Sequence, residues 1–215
     1  MRKLLVLFFL LFLFQSCSEA TKEGYYKGYE TPSYKILKSS ENIEIRKCES
    51  VLVAEVETEG NRQEAAKKGF MILAKYIFGK NVSKEEVAMT SPVEQKELFQ
   101  NKSEKIAMTS PVSQIEKNQG KWLIQFSMPS KYTIELLPKP KDERIKFKIK
   151  EPKKVVAIKF TGSWSDKKFM EKKEKLEKFI SQNELKIKGT PTIAYYDDPF
   201  TFPWNRRNEI IFEIE

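Results

Sequence analysis

The chain has no histidine among its 215 residues. That absence removes imidazole acid/base catalysis, Ser-His-Asp and Cys-His nucleophile systems, and every histidine-containing metal site. Two cysteines, Cys17 and Cys48, are too few for a disulfide framework or a four-thiolate metal centre. The acidic pairs Glu85-Glu86 and Asp197-Asp198 are adjacent, so in a strand their carboxylates point to opposite faces and read as loop charges. With no phosphate loop or activated nucleophile beside them, an enzyme is not expected. Binding is the remaining chemistry, and 15 Phe, 8 Tyr and 3 Trp supply apolar surface for it while ruling out disorder for the bulk of the chain.

The first residues are an address. Met1-Arg2-Lys3 is a short basic start, Leu4 to Phe14 is an unbroken apolar run, and Gln15-Ser16-Cys17 ends it. As a helix that run would span only about 16 Å, half a bilayer core, so a secretory signal is the better reading than a transmembrane anchor. The break resembles the lipobox of bacterial lipoproteins, whose cysteine is acylated, with fatty acids such as palmitate, and becomes the mature N-terminus. Phe14 and Gln15 depart from it where Leu and a small residue are usual. The alternative is a plain signal peptide cut at an unmodified Cys17. On the lipoprotein reading residues 1–16 are the signal, 17–33 a lipidated N-terminus and tether, and 34–215 the folded domain, facing the periplasm or the cell surface of a bacterial envelope. The formal charge of +9 would suit nucleic acid, but export argues against that partner. Much of the charge also has a plain source in the alternation of lysines 167–178 with Glu171, Glu174 and Glu177, a solvated helix face.

Within the domain the same order of elements occurs twice. Ile43 and Ile45 alternate with Glu44 and Arg46, and Val51 to Ala54 runs apolar, giving two strands around Cys48-Glu49-Ser50. Asn61 and Glu64 are spaced as a capping box for a helix to Phe78, with Gly79 as its stop. Two Met-Thr-Ser-Pro segments follow as short strands, then Trp122, Ile124, Phe126 and Met128 on one strand face. The second half repeats this with Ile145 to Ile149, Val155 to Ile158, a helix from about Ser163–Asp166 to Asn183, and strands at Thr192 to Tyr196 and Asn208 to Ile214. The expected fold is α+β: a pseudo-symmetric pair of strand-strand-helix-strand-strand repeats forming a curved antiparallel sheet or open barrel of about eight strands with two helices. The first helix is apolar over two adjoining stripes and needs a second neighbour, either the other half of the protein or a flat apolar ligand.

Val87-Ala-Met-Thr-Ser-Pro-Val93 recurs as Ile106-Ala-Met-Thr-Ser-Pro-Val112. Of the two, the second is expected to be continuous with the sheet. Together with Ile43-Glu-Ile-Arg46, Lys75-Tyr-Ile-Phe-Gly-Lys-Asn81, Phe126-Ser-Met-Pro129, Leu136-Leu-Pro-Lys-Pro140, Phe160-Thr-Gly162, Tyr196-Asp-Asp-Pro199 and Arg206-Arg-Asn-Glu209, these segments resemble the SOUL heme-binding protein family from about Tyr34 to the C-terminus. The resemblance implies the same α+β barrel and a role in binding heme or another tetrapyrrole, without catalysis. Some members are thought to use a histidine axial ligand, which this chain lacks; others hold the porphyrin by apolar contact, with basic residues near its propionates. By position, that mode places Phe70, Ala74 and Lys75 of the first helix and Phe202 and Arg206 of the C-terminal loop in the binding groove. Members with Met at the two apolar helix positions contrast with Phe70 and Ala74, and Phe202 stands where a Lys is found. Arg206 has a structural alternative as the partner of Asp197, Asp198 or Glu209, and Lys75 one as an exposed helix lysine. Met89, Met108, Tyr195, Tyr196 and Cys48 are the conceivable iron ligands, and none is singled out by spacing. Two other functions remain open: an envelope lipoprotein binding a different amphipathic molecule or lipid, as similar two-repeat domains of bacterial effector-binding proteins do, and a protein-interaction module.

Overall fold

The structure, a computed structural model, describes residues 24–83 and 103–215. A short hairpin, β1 (Tyr25–Tyr26) and β2 (Tyr29–Glu30), leads into β3 (Tyr34–Ser40), β4 (Ile43–Cys48) and β5 (Val51–Glu59). Helix α1 (Arg62–Ile77) follows, then β6 (Asn81–Val82), β7 (Val112–Asn118), β8 (Lys121–Ser127), β9 (Lys139–Pro140), β10 (Lys146–Lys150) and β11 (Lys153–Phe160). Helix α2 (Asp166–Gln182), β12 (Ile187–Tyr195), a single 3-10 turn (Pro203–Asn205) and β13 (Asn208–Ile214) complete the chain. Asn61 accepts from the Glu64 amide at 3.0 Å while the Glu64 carboxylate accepts from the Asn61 amide at 3.4 Å, so the capping box forms. Gly79, at φ +103°, turns the chain just past the C-cap Phe78.

Nine strands form one antiparallel sheet in the order β10-β5-β8-β7-β12-β13-β11-β4-β3. Its two edges, β10 and β3, do not pair, so the sheet is not closed into a barrel. The ninth strand, β3, lies outside β4 and was not anticipated from the pattern. Although β4 and β5 flank Glu49 and Ser50, they do not pair with each other. β4 joins β11, β5 joins β10, and the chain likewise changes neighbours between β10 and β11.

The expectation that the Met-Thr-Ser-Pro segments are themselves strands needs correction for the second copy. Its ladder begins only at Val112, because Pro111 has no N–H to give. The preceding side chains instead serve neighbouring strand ends: Thr109 Oγ1 donates to the Ser127 carbonyl at 2.5 Å and Ser110 Oγ to the Tyr196 carbonyl at 3.0 Å. The second copy does run directly into the sheet. The first copy, with Met89 and Glu85-Glu86, lies outside the described residues, as does Cys17.

Both helices cover one face of the sheet. The register Ile124, Gln114, Ile193, Ile210 runs across four strands on that face. α1 packs on β5 and β8, where Leu73, Tyr76 and Ile77 join Val56, Trp122, Ile124 and Phe126 in one core cluster. α2 packs Leu176 and Ile180 on Val156, Ile158, Ile210 and Phe212 in a second, and Phe169 touches both. The second neighbour that α1 requires is partly the chain itself. Ile106 is buried against it, with its amide donating to the Ile77 carbonyl at 2.8 Å, and the Tyr76 hydroxyl donates to the Pro138 carbonyl at 2.9 Å. Met71 and Phe78 nevertheless stay about half exposed.

Gly69 sets how closely α1 sits on β8, since a Cβ there would lie far inside contact distance of the Ile124 side chain. Gly69→Ala gains helix propensity but overpacks this contact. It should lower stability by about 1–3 kcal/mol in urea denaturation; an unchanged or raised midpoint would show the helix free to shift outward.

Candidate ligand-binding site

The N-terminal ends of α1 and α2 meet over the central strands, and Arg62, the first residue of α1, ties them. Its guanidinium donates to Asp166 Oδ1 at 2.7 Å, the Tyr195 hydroxyl at 2.7 Å and the Trp164 carbonyl at 2.5 Å. The Tyr195 hydroxyl donates to Gln114 Oε1 at 2.9 Å, and Gln114 Nε2 donates to the Arg62 carbonyl at 2.7 Å. Burial pushes the Tyr195 hydroxyl above its ordinary pKa despite the nearby Arg62 charge, so it acts as a neutral donor. The network is a lock between the helices, with its buried polar groups satisfied from within.

Beside the lock, Trp164 donates Nε1–H to Asn208 Oδ1 at 2.8 Å and lies edge-on to Tyr195. Arg206 lies over its indole, 4.3 Å from the ring centroid. The loop from Asp197 to Arg207 builds an open aromatic ledge outward from there. Phe202 and Trp204 stack with centroids 4.8 Å apart and planes 4° from parallel. They are 62% and 67% exposed, and Phe200 is 93% exposed. The ledge is held firmly. The Asp198 carboxylate accepts from the Phe200 and Thr201 amides at 2.7 and 2.9 Å, which holds its pKa below the usual value. Arg206 donates to the Thr201 and Pro199 carbonyls at 2.7 and 2.8 Å.

Arg206 therefore does not pair with Asp197, Asp198 or Glu209. Strand parity explains this: Arg206 falls on the same side as Asn208, towards the helices, and Arg207 falls with Glu209 on the opposite face. There Glu209, fully buried, accepts from Arg46 at 2.7 and 3.1 Å, from Arg207 at 2.6 and 3.0 Å and from the Tyr196 hydroxyl at 3.2 Å. Burial pushes the Glu209 pKa up, but the two guanidiniums outweigh it and hold the carboxyl below its usual value. Arg46 also holds Glu44, at 2.8 Å.

The expected groove residues fall in two places. Phe202 and Arg206 belong to the ledge, which meets the first turn of α1 through Trp164. Phe70 lies about 12 Å further along the helix axis from Arg62, and Lys75 about 20 Å. Phe70 is half-buried with its ring 5.5 Å from that of Phe126, Ala74 is buried, and Lys75 is exposed in the last turn. Arg62, Trp164 and Trp204 were not anticipated, and Tyr195, a conceivable iron ligand from the sequence, is instead bonded to Arg62 and Gln114. Aromatics at alternating positions 200, 202 and 204, interleaved with Pro199 and Pro203, were the available signal for the ledge. A separate cavity of about 480 Å³ lies at the other end of β5 and β8, lined among others by Glu30, Leu52, Met128, Tyr132 and Ile149.

Burial pushes the Cys48 thiol and the Tyr196 hydroxyl up, Tyr195 and Tyr196 are engaged in hydrogen bonds, and Met108 packs against the core. Among the described residues no cluster of Cys, Asp and Glu has metal-site geometry. Lys150, half-buried beside Gln125 and near Lys153, has its pKa lowered to about 8, but it lies on the face opposite the helices.

The family model for SOUL heme-binding protein matches residues 29–213. The chain belongs to that family. Membership supports a role in binding heme or a related tetrapyrrole. No curated protein matches the chain. Among solved structures, the EcmrR C-terminal domain is similar at a TM-score of 0.57 and 10% identity, covering 85% of this chain and 98% of that one. A protein described as a hydrolase from Listeria innocua is similar at 0.55 and 14%, covering 83% and 94%. At such identities these likenesses show the fold alone.

Replacing Glu209 with Gln leaves Arg46 and Arg207 without their buried counter-charge and should cost about 3–5 kcal/mol. Because its carboxyl titrates lower in the fold than the ordinary 4.5, its contribution is complete above that pH and fades as pH falls through the lower folded value. Urea midpoints taken from pH 6 down to pH 3 should therefore fall for the native protein. Glu209→Gln should flatten the part of that fall due to this carboxyl, and an equally steep curve would contradict the assignment.

Proposed function

We propose that this protein is a membrane-tethered binding module for heme or a related hydrophobic tetrapyrrole, gripping the macrocycle by apolar and cationic contact without an axial histidine and without catalysis. The observation that carries the reading is the family match over nearly all of the folded chain, joined to a rigid, solvent-open aromatic ledge with a cation at its root. Phe202 and Arg206 contribute the ledge side of the ligand surface, and Phe70, Ala74 and Lys75 the helix side. Apolar burial of several hundred Å² at about 25 cal/mol/Å² is enough for micromolar binding after association costs, so the cations orient the ligand more than they hold it. The remaining assignments belong to the same reading: residues 1–16 a signal peptide, Cys17 the acylated residue of a cell-envelope lipoprotein, 17–33 the tether, 34–215 a domain of two repeats. Residues 24–33 would be the docked part of that tether, since Tyr26, Lys27 and Glu30 are bonded to the domain. A second reading, an amphipathic lipid or other small molecule as ligand, draws on the mainly apolar 480 Å³ cavity beside Met128.

Titration of the chain from Ser18 onward with hemin, and separately with metal-free protoporphyrin, should give saturable one-to-one binding with dissociation constants within about threefold of each other. Phe202→Ala should weaken both by about tenfold and Arg206→Ala by less, followed by absorbance and tryptophan fluorescence. Binding of hemin alone would indicate iron ligation. No saturable binding at about 10 μM would favour the amphipathic alternative.

A further inference from the structure

Phe200, Phe202 and Trp204 form an apolar surface with no partner proportionate to it among the described residues: one is 93% exposed and the stacked pair more than 60%. Single exposed aromatics are ordinary on a protein surface; three at alternating positions of one short loop are not. The loop is preorganised by the Asp198 turn and the Arg206 braces, so holding the rings outward costs no further ordering on contact.

Its position identifies what it faces. The N-terminal chain is pinned to this loop: the Tyr26 hydroxyl donates to Asp197 Oδ2 at 3.1 Å, and Lys27 Nζ donates to Asp197 Oδ1 at 2.5 Å and to the Asn205 carbonyl at 3.1 Å. Cys17 and the apolar run Leu4 to Phe14 lie just upstream, and at about 3.5 Å per residue the chain between Cys17 and Tyr26 spans at most about 30 Å. A lipid on Cys17 therefore keeps the ledge within reach of the bilayer surface.

We propose that Phe200, Phe202 and Trp204 insert into the membrane-water interface and fix how the domain sits on the bilayer, a proposal resting on the tethered reading above. Aromatic rings of this kind favour the headgroup region, where an apolar body and a polar edge are both accommodated. Lys27 is matched by Asp197 and Arg207 by Glu209, and Arg206, whose guanidinium is bonded to the Thr201 and Pro199 carbonyls, is offset in the same loop by the Asp198 carboxylate, so insertion is driven by the rings and not by anionic lipid. It also places Phe202 where a membrane-dissolved tetrapyrrole would first meet the protein.

The test uses the acylated protein beginning at Cys17 with neutral phosphatidylcholine vesicles whose acyl chains carry bromine, a short-range quencher of tryptophan. Flotation reads the tether, and quenching reads the ledge. Quenching of a clear fraction of the emission, unchanged by salt and lost in Trp204→Phe, is expected, as is its loss in Phe200→Ser/Phe202→Ser with flotation intact. Flotation without quenching would overturn the proposal and leave the tether standing; failure of both would overturn both. Quenching that persists in Trp204→Phe would overturn it, because Trp122 or Trp164 would be the reporter. So would self-association in the absence of lipid that the double substitution abolishes, since the rings would then cover a second copy.

Discussion

A buried carboxylate held between two guanidiniums organises this molecule. Glu209 lies on β13, Arg46 on β4 two strands away, and Arg207 at the mouth of the C-terminal loop, so one buried group fixes the strands that flank β11 and the exit of the ledge. Such a cluster stabilises only when every charge is met, and it is here: Arg46 also serves Glu44 and lies 4.3 Å over the Tyr34 ring, while Arg207 lies 4.0 Å over Tyr196. Its value is in specifying register. A one-residue slip of β13 would carry Glu209 to the helix face, bring Asn208 to the guanidiniums and strand both arginines.

That same parity separates the two faces functionally. On one, small residues such as Ala157 and Ala194 leave room for the charged cluster; on the other, Asn208 holds Trp164 and Trp164 carries Arg206. The ledge is therefore an outgrowth of strand register, held by hydrogen bonds to its own carbonyls, and its rings are free to meet something apolar. The helix face of the expected groove is built differently, by the close seat of α1 on β8 at Gly69, with Phe70 turned against Phe126.

Much of this was legible in the sequence. Asn61 with Glu64 and Gly79 marked both ends of α1 because capping is local, and Asn208 to Ile214 coincides with β13 because Ile210, Phe212 and Ile214 recur at every second position there. The exchange of neighbours at β4–β5 and β10–β11 was not legible, since strand pairing is a long-range choice that periodicity does not encode. Nor was β3, which is largely exposed and lacks a buried alternation. Arg206 and Arg207 show the limit for site residues. Parity separated them, but only the fold revealed that Arg206 would be satisfied by carbonyls, and Arg62 looked like an ordinary first-turn residue until α2 supplied Asp166 and Trp164.

The central claim is that a tetrapyrrole is gripped by the ledge together with the Phe70–Lys75 stretch of α1. Amide and methyl NMR spectra of the chain from Ser18 onward, recorded with and without metal-free protoporphyrin, test it directly, because the macrocycle's ring current marks the residues it covers. The account predicts large shifts at Phe200 to Arg206 and at Phe70 to Lys75. Shifts confined to Leu52, Met128, Tyr132 and Ile149 would place the ligand in the opposite cavity and contradict it.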